Sequence, residues 1–408
     1  MKYILLIGDG MGDVPIPALN NRTPLEVAAT PAMDRLAPRS EMLLVRTVPE
    51  GYPPGSDVAN LSLLGYEPER YYTGRAPLEA ASLGVELAPD EIAFRCNLVH
   101  VDRPADGRLI MVDYSSGHIT TNESQQLIAA LQAECGNDRL RLYPGVSYRH
   151  LLVYRGELPA GFTTVPPHDH SDQDVTAFFQ AYQQIEVFPP LLARASEILA
   201  DHPVNRERER QGKRTANAIW LWGEGKRPAM ETLAQRFGIR GGLISAVDLL
   251  KGLGVLGGLT VIDVPGATGY LDTDYEGKAR AALAVLAQDD FVLVHVEAPD
   301  ETGHQGLVTE KVQAVTDFDH RIVAPIVAEM ERRGEPFRLV VTMDHYTPVH
   351  RRTHEDWPVP MFLYDSRGVA APSGRTYTEA NVQATVRETG QELLSGAAFF
   401  RRFVEREG

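Results

Sequence analysis

The segment DETGH, Asp300 to His304, sets a carboxylate and an imidazole four positions apart. The segment MDHYTPVHRRTHEDWPVP adds Asp344, His345, His350 and His354. Imidazole and carboxylate together suit borderline or hard divalent cations such as Zn²⁺ and Mn²⁺. Asp9, in GDG at the end of the first apolar run, offers another carboxylate. Each residue alone has an ordinary reading. Turns use aspartates like Asp9, Asp300 could cap a helix, and His304 or His354 would fit a surface or a satisfied core position. Asp344–His345 is harder to set aside, because it follows an apolar strand and a buried carboxylate needs a partner. Asp9, Asp300, His304, Asp344, His345 and His354 are too many, and too rich in oxygen, for one tetrahedral structural zinc. They suit two catalytic cations about 3.5–4 Å apart, which stabilise both attacking and leaving oxygens in phosphoryl transfer.

The stretch GYPPGSDVANLSLLG places Ser56 between Gly55 and Asp57, after two prolines and before an apolar run. The prolines and Gly55 predict a tight turn, and VANLSLLG predicts the start of a helix. A hydroxyl is a weak nucleophile near neutral pH unless a base or a metal activates it. No histidine stands near Ser56 in the sequence, so activation by the cations is expected. The amides at a helix N-terminus would also favour an anion there.

Competing motifs fail on spacing. GDGMGD reads G-x-G-x-G, not the G-x-G-x-x-G of a dinucleotide site, and Pro15 and Pro17 deny it an immediate helix. WLWGEGKRP and DTDYEGKA lack the first glycine and the hydroxyl residue of a phosphate loop. HDHSDQD, His168 to Asp174, has the residue types of another metal site, but its favoured reading is a polar loop facing substrate.

Positioning such groups needs a sheet whose strand ends converge. KYILLIG runs into Asp9, DFVLVHVEAPD into Asp300, and PFRLVVTMD into Asp344, while VPMFLYD follows His354. Runs rich in Val, Ile and Leu predict strands buried on both faces of a parallel sheet. TPAMDRLA and LVTEKVQAVTDFDHRIVAPIVAEMERRG supply helices between them. Ligands gather at the carboxyl ends of such strands. The middle of the chain has shorter strand signals, EIAFRCNLVHVD, RLIMVDYSSGHI and HLLVYRG, with polar helices such as HPVNRERERQGKRTAN. The expected organisation is an α/β domain over residues 1–74 and 239–408, with a smaller α+β domain inserted at 75–238.

Composition fits this organisation. The chain has 408 residues, 43% hydrophobic and 23% charged, enough for about two domains. No stretch approaches the roughly 20 apolar residues of a membrane span. The apolar run from Tyr3 to Ile7 is short, with no small-residue cleavage site after it, and reads as a first strand rather than a signal segment. A net charge of −15 argues against a general nucleic-acid partner. It does not exclude an anionic substrate at a local cluster of cations. Cys96 and Cys135 form no disulfide framework, so a cytoplasmic compartment is expected.

Several stretches carry a family resemblance: LIGDGMGD, TPLEVAATPAMDRLA, PPGSDVANLSLLGYEPERYYTGRAPLEAAS, FRCNLV, PGVSYRHLLV, PPHD, SAVDLLKGLG, VPGATGYLDTDYEGKA, HVEAPDETGH and DHYTPVHRRTHEDWPVP. Across nearly the whole chain they resemble archaeal-type cofactor-independent phosphoglycerate mutases, of the alkaline phosphatase superfamily. The resemblance implies an alkaline-phosphatase-like, mostly parallel sheet flanked by helices and split by an inserted substrate-binding domain. It implies that Ser56 is the phosphorylated nucleophile. Asp9, Ser56, Asp344 and His345 would hold one ion, and Asp300, His304 and His354 the other. Mn²⁺ is the first expectation, with Zn²⁺, Co²⁺ or Mg²⁺ as alternatives and no bisphosphoglycerate cofactor. Arg149, His168, Asp169, Lys226 and Lys251 are the candidate contacts to a small phosphorylated substrate. Each lysine could equally be a solvated surface charge.

The implied reaction interconverts 3-phosphoglycerate and 2-phosphoglycerate through phosphoserine, in a clamp of two domains that excludes water. TVPEGYPPGSDVANLSLLGYEP and VDYSSGHITTNE look closest to a bacterial branch that includes proposed homoserine kinases. That activity would need the same metal ligands. The sequence holds no standard nucleotide motif. A metal-stabilised binding protein without turnover is a third reading, and it would have no need of Ser56. The sequence does not read out an oligomeric state.

Overall fold

The computed structural model describes residues 1–368 and 372–404. Two compact units emerge, Met1–Tyr72 with Ala229–Gly408, and Thr73–Pro228.

The first unit is built on an eight-stranded sheet. Its strands run in the order Thr260–Val261, Gly241–Ile244, Phe291–Val296, Lys2–Gly8, Phe337–Thr342, Val359–Asp365, Glu41–Arg46 and Leu394–Ser395. Phe291–Val296 and Phe337–Thr342 are buried throughout, and Lys2–Gly8 from Tyr3 onward. Helices pack onto them, including Tyr275–Leu286 on Phe291–Val296 and Glu379–Thr389 on Glu41–Arg46. Strands covered on both faces favour apolar residues on both, which is why these runs do not alternate.

Neighbouring strands are parallel except around Val359–Asp365, which runs antiparallel to both Phe337–Thr342 and Glu41–Arg46. This corrects the expectation of a parallel strand for VPMFLYD. The reversal brings the amino-terminal end of this strand, just after His354, to the edge where Lys2–Gly8, Phe291–Val296 and Phe337–Thr342 have their carboxyl ends.

The long helical pattern beginning at Leu307 is two helices, Val308–Phe318 and Ala324–Arg333, joined by a π turn over Asp319–Val323. Pro325, which lacks an amide proton, sits in the first turn of the second helix, where it is tolerated.

The first unit resumes at Ala229, ten residues before the boundary expected from sequence. Local bonds explain the difference. Tyr66 donates its hydroxyl to Glu231 O at 2.7 Å, and the Arg236 guanidinium lies 4.8 Å from the Tyr66 ring centroid.

The second unit carries a six-stranded sheet centred on Glu91–Asp102. This strand pairs antiparallel with Arg149–Arg155, Ala218–Gly225 and Ile110–Asp113. Phe94, Leu98, Leu127, Leu131, Leu152 and Leu192 form one core with the helices Thr121–Cys135 and Phe188–Asp201. A reciprocal cap between Thr120 and Glu123 fixes the start of Thr121–Cys135. The polar run after His202 is helical only over Pro203–Arg210, and it is not all solvated. Arg208 is buried and donates to Glu123 at 2.8 Å and to Ser116 O at 2.6 Å. No described helix is long and apolar enough to cross a membrane.

Candidate active site

One edge of the large sheet collects the chemistry. Asp9 follows Lys2–Gly8, and Asp344 and His345 follow Phe337–Thr342. Asp300 and His304 lie on the helix Ala298–Gln305, just after Phe291–Val296. Ser56 opens the helix Ser56–Leu63, preceded by Gly55 in extended backbone. Asp344 and His345 are 0% exposed, Asp9 1% and Asp300 5%.

The side chains form two adjoining groups. In the first, Ser56 Oγ lies 3.1 Å from His345 Nε2. That nitrogen is 3.5 Å from Asp9 Oδ1 and 3.5 Å from Asp344 Oδ2. A histidine therefore does stand beside Ser56 in space. In the second group, Asp300 approaches His304 Nε2 at 3.2 Å and His354 Nε2 at 3.5 Å. The two Nε2 atoms are 2.9 Å apart. Atoms of Asp9, Asp300 and His345 fall within 4.8 Å of one another, so the groups share a border. His350 is exposed.

Surrounding bonds aim these atoms. His304 Nδ1 lies 3.0 Å from Arg352 O, and His354 Nδ1 lies 3.3 Å from Pro54 O. A carbonyl only accepts, so each Nδ1 carries the hydrogen and each Nε2 is left to face the cluster. Asp344 Oδ1 accepts from His345 N at 2.9 Å and Gly10 N at 3.3 Å. Asn60 Nδ2 donates to Asp344 Oδ2 at 2.9 Å and to Ser56 O at 2.9 Å, tying nucleophile and carboxylate together. The Thr347 hydroxyl bonds Asp300 Oδ1 and lies 3.3 Å from His345 Nδ1. Gly10 has φ of +57°, and a Cβ there would stand 2.5 Å from Thr347 Oγ1 and 2.6 Å from Asp300 Oδ1. Only glycine suits that conformation in that space.

Buried charge makes the site electrostatically demanding. Burial, with the Asp344 and Asp300 carboxylates beside it, pushes the Asp9 carboxyl well above its usual range. Burial also opposes ionisation of Asp300, but hydrogen bonds from His304 and His354 hold it well below. His304 rises to about 9, because bonding to the Asp300 carboxylate outweighs burial. Burial lowers His345.

His295 was not anticipated from the sequence. Its Nε2 lies 3.1 Å from Asp9 Oδ2, and burial lowers it to about 4. His295 Nε2 and Asp9 Oδ1 are buried without a hydrogen-bond partner. The signal was present: His295 is the one polar residue of FVLVHV, a strand buried at every position.

Of the candidate substrate contacts, Lys251 lies in the first unit and Arg149, His168, Asp169 and Lys226 in the second. Lys251 Nζ is bound by Asp263 at 2.8 Å, with Asp248 at 3.9 Å, so its charge is already balanced. Lys226 lines a cavity of about 370 Å³ with Thr73, Glu157 and Glu224. His168 and Asp169 sit on the short turn Pro167–His170, and Arg149 is exposed beside Tyr148.

Within the second unit, His168 belongs to a richer cluster. Its ring lies 5.5 Å from Trp222, and the Arg95 guanidinium lies 4.1 Å from the same indole. Arg75 is 6.0 Å from that indole. Burial lowers Arg95 to about 10; the Glu79 carboxylate opposes this, and the like charges of Arg75 and Arg149 add to it. Arg75 and Arg95 were missed because single arginines in TGRAPLEAAS and FRCNLV do not show what surrounds them.

A sequence profile described as 2,3-bisphosphoglycerate-independent phosphoglycerate mutase matches residues 37–205. A probable enzyme of that name from Geobacter sulfurreducens is 48% identical over 410 residues, covering 100% of both chains. The chain belongs to the 2,3-bisphosphoglycerate-independent phosphoglycerate mutase family. The Methanosarcina acetivorans mutase is 49% identical over 377 residues, 92% of this chain and 94% of its own. Among solved structures, the cofactor-independent phosphoglycerate mutase of Thermoplasma acidophilum superposes with a TM-score of 0.65 at 26% identity, covering 99% of each chain. A Pyrococcus horikoshii protein gives a TM-score of 0.81 at 26% identity, over 100% of this chain and 99% of its own. The likeness to a solved mutase thus covers nearly the whole chain.

Proposed function

We propose that the chain interconverts 3-phosphoglycerate and 2-phosphoglycerate through a phosphoserine at Ser56, without bisphosphoglycerate and beside two divalent cations. The observation that carries this reading is Ser56 Oγ at 3.1 Å from His345 Nε2, inside a buried set of carboxylates and imidazoles.

Asp9, Ser56, Asp344 and His345 would hold one ion, with His295 adjoining, and Asp300, His304 and His354 the other. Donor atoms about 2.0–2.2 Å from one ion lie roughly 3–3.5 Å from each other. The observed separations are 3.1 Å for Ser56–His345, 3.5 Å for His345–Asp9, 3.2 Å for Asp300–His304 and 3.5 Å for Asp300–His354. Mixed carboxylate and imidazole donors fit Mn²⁺, Zn²⁺ or Co²⁺. When bound, such ions acidify a hydroxyl and neutralise the charge of a phosphoryl group in transfer.

The chain's own residues account for the remaining steps. Ser56 Oγ gives up its proton and attacks the phosphorus of 3-phosphoglycerate, the bond to the 3-oxygen breaks, and that oxygen takes up a proton in its place. Asn60 holds Ser56 in place, and the first amides of Ser56–Leu63 favour the phosphoserine anion. The 2-hydroxyl of glycerate then attacks the same phosphorus and loses its proton, the bond from phosphorus to Ser56 Oγ breaks, and Oγ regains a proton. Within the second unit, Arg75, Arg95 and Arg149 form a cationic cluster of the kind that binds a carboxylate or phosphate, beside the His168 imidazole, which burial and the arginine charges favour in its neutral form. Two free cysteines, Cys96 and Cys135, suit a cytoplasmic setting.

The test offers Mn²⁺-loaded protein 3-phosphoglycerate in one reaction and homoserine with ATP in another. Turnover of 3-phosphoglycerate is expected. Turnover with homoserine and ATP alone would replace the mutase by a kinase of the same chemistry.

A further inference from the structure

Lys311 is completely buried on the helix Val308–Phe318. Its ammonium donates to Gly12 O at 2.9 Å, Asp13 Oδ2 at 3.1 Å and Thr347 O at 2.7 Å. These acceptors use all three of its hydrogens. Asp13 is equally buried; its Oδ2 also accepts from Val349 N at 3.1 Å and its Oδ1 from Val14 N at 2.8 Å.

The acceptors belong to segments that carry the candidate ligands. Gly12 and Asp13 lie three and four residues beyond Asp9, and Thr347 lies two beyond His345. Val308–Phe318 continues the chain from Ala298–Gln305, which bears Asp300 and His304. One ammonium thus ties together three ligand-bearing segments without touching a ligand side chain. Thr347 relays the tie. Its carbonyl rests on Lys311, while its hydroxyl bonds Asp300 and lies 3.3 Å from His345 Nδ1, one residue from each group.

A buried ion pair is weak evidence of stabilisation, since apolar residues of the same volume often do as well. Its value here is geometric. We propose that the Lys311–Asp13 pair is a positioning device that sets the spacing between the two cation groups and thereby the affinity for the ions. This rests on the two-cation reading above.

The test uses full-length protein, titrated with Mn²⁺ by calorimetry and followed by the electron paramagnetic resonance signal of the coupled ion pair. The variants are Asp13→Asn/Lys311→Met, which removes both charges together, and Lys311→Arg, which keeps the charge but spreads it over a planar fork. A folded variant should bind Mn²⁺ about 10- to 100-fold more weakly, the usual effect of losing an outer partner, with an altered coupling signal. A folded variant with parental affinity and signal would overturn the proposal. If neither variant folds without Mn²⁺, the pair serves the fold and the proposal is likewise overturned. A parent protein that binds fewer than two Mn²⁺ would instead remove the two-cation reading itself, and the proposal with it.

Discussion

His304 and His354 meet Nε2 to Nε2 at 2.9 Å, while each Nδ1 faces a backbone carbonyl, those of Arg352 and Pro54. Neither carbonyl can donate, so two ring lone pairs converge on one point beside Asp300. Lone pairs that close repel until a proton or a cation lies between them. Burial disfavours a charged His304, yet bonding to the Asp300 carboxylate raises it to about 9, which supplies the proton when no metal is bound. A divalent cation would satisfy both nitrogens and Asp300 at once.

Replacing His304 by alanine should therefore remove one Mn²⁺ per chain and leave the ion beside Ser56. Calorimetric or elemental measurement of bound metal checks this. Unchanged stoichiometry would place the second ion elsewhere.

Ser56→Ala should lower turnover of 3-phosphoglycerate by on the order of 10⁴-fold or more, the scale on which loss of a nucleophile is felt. Its metal content should remain, because Asp9, Asp344 and His345 stay in place. A metal-stabilised binding protein would show neither parental turnover nor any dependence on Ser56.

Gly10→Ala tests the packing of the site. A side chain at φ +57° meets Thr347 and Asp300 at once. The left-handed backbone alone costs about 1–3 kcal/mol for an ordinary residue. Denaturant unfolding should show at least that loss, and Mn²⁺ binding should weaken with it.

These sites differ in how far the sequence revealed them. The candidate ligands were legible because acids and histidines stood where apolar runs stopped, and strand ends are where side chains can converge. The approach of Ser56 to His345 was not legible, since 289 positions separate them. The direction of Val359–Asp365 was hidden too: an apolar run reads the same in either direction, and only its pairing sets its sense. His295 and Arg95 lie inside strands that are apolar around them, so pattern reading absorbed them into the core. Lys251 showed its charge, but not the carboxylate of Asp263 twelve residues on that balances it.

Glu379 predicts a pH dependence of stability. Burial raises it from 4.5 to about 7; bonds from Thr23 and the Asp13 amide only partly offset this. A carboxyl raised on folding favours the native state fully below 4.5 and loses that contribution as pH climbs through about 7. The difference amounts to about 3 kcal/mol. Glu379→Gln, a mimic of the neutral acid, should be more stable than the parent above the upper value and equal to it below the lower one. Equal stability across the whole range, measured by denaturant unfolding, would show that Glu379 is not held neutral.

Arg149 is exposed, so Arg149→Ala should fold normally. A hydrogen bond to a charged group contributes about 1.5–3 kcal/mol. KM for 3-phosphoglycerate should then rise on the order of 10- to 100-fold, with Mn²⁺ binding unchanged. A parental KM would remove Arg149 from the substrate contacts.

Mass spectrometry of protein quenched during turnover reads directly whether Ser56 carries a phosphoryl group. With Mn²⁺ and 3-phosphoglycerate, one phosphoryl group should appear on the peptide containing Ser56 and vanish after chelation. An active enzyme that never carries phosphate on that peptide, or that carries it on another residue, would rule out Ser56 as the phosphoryl carrier.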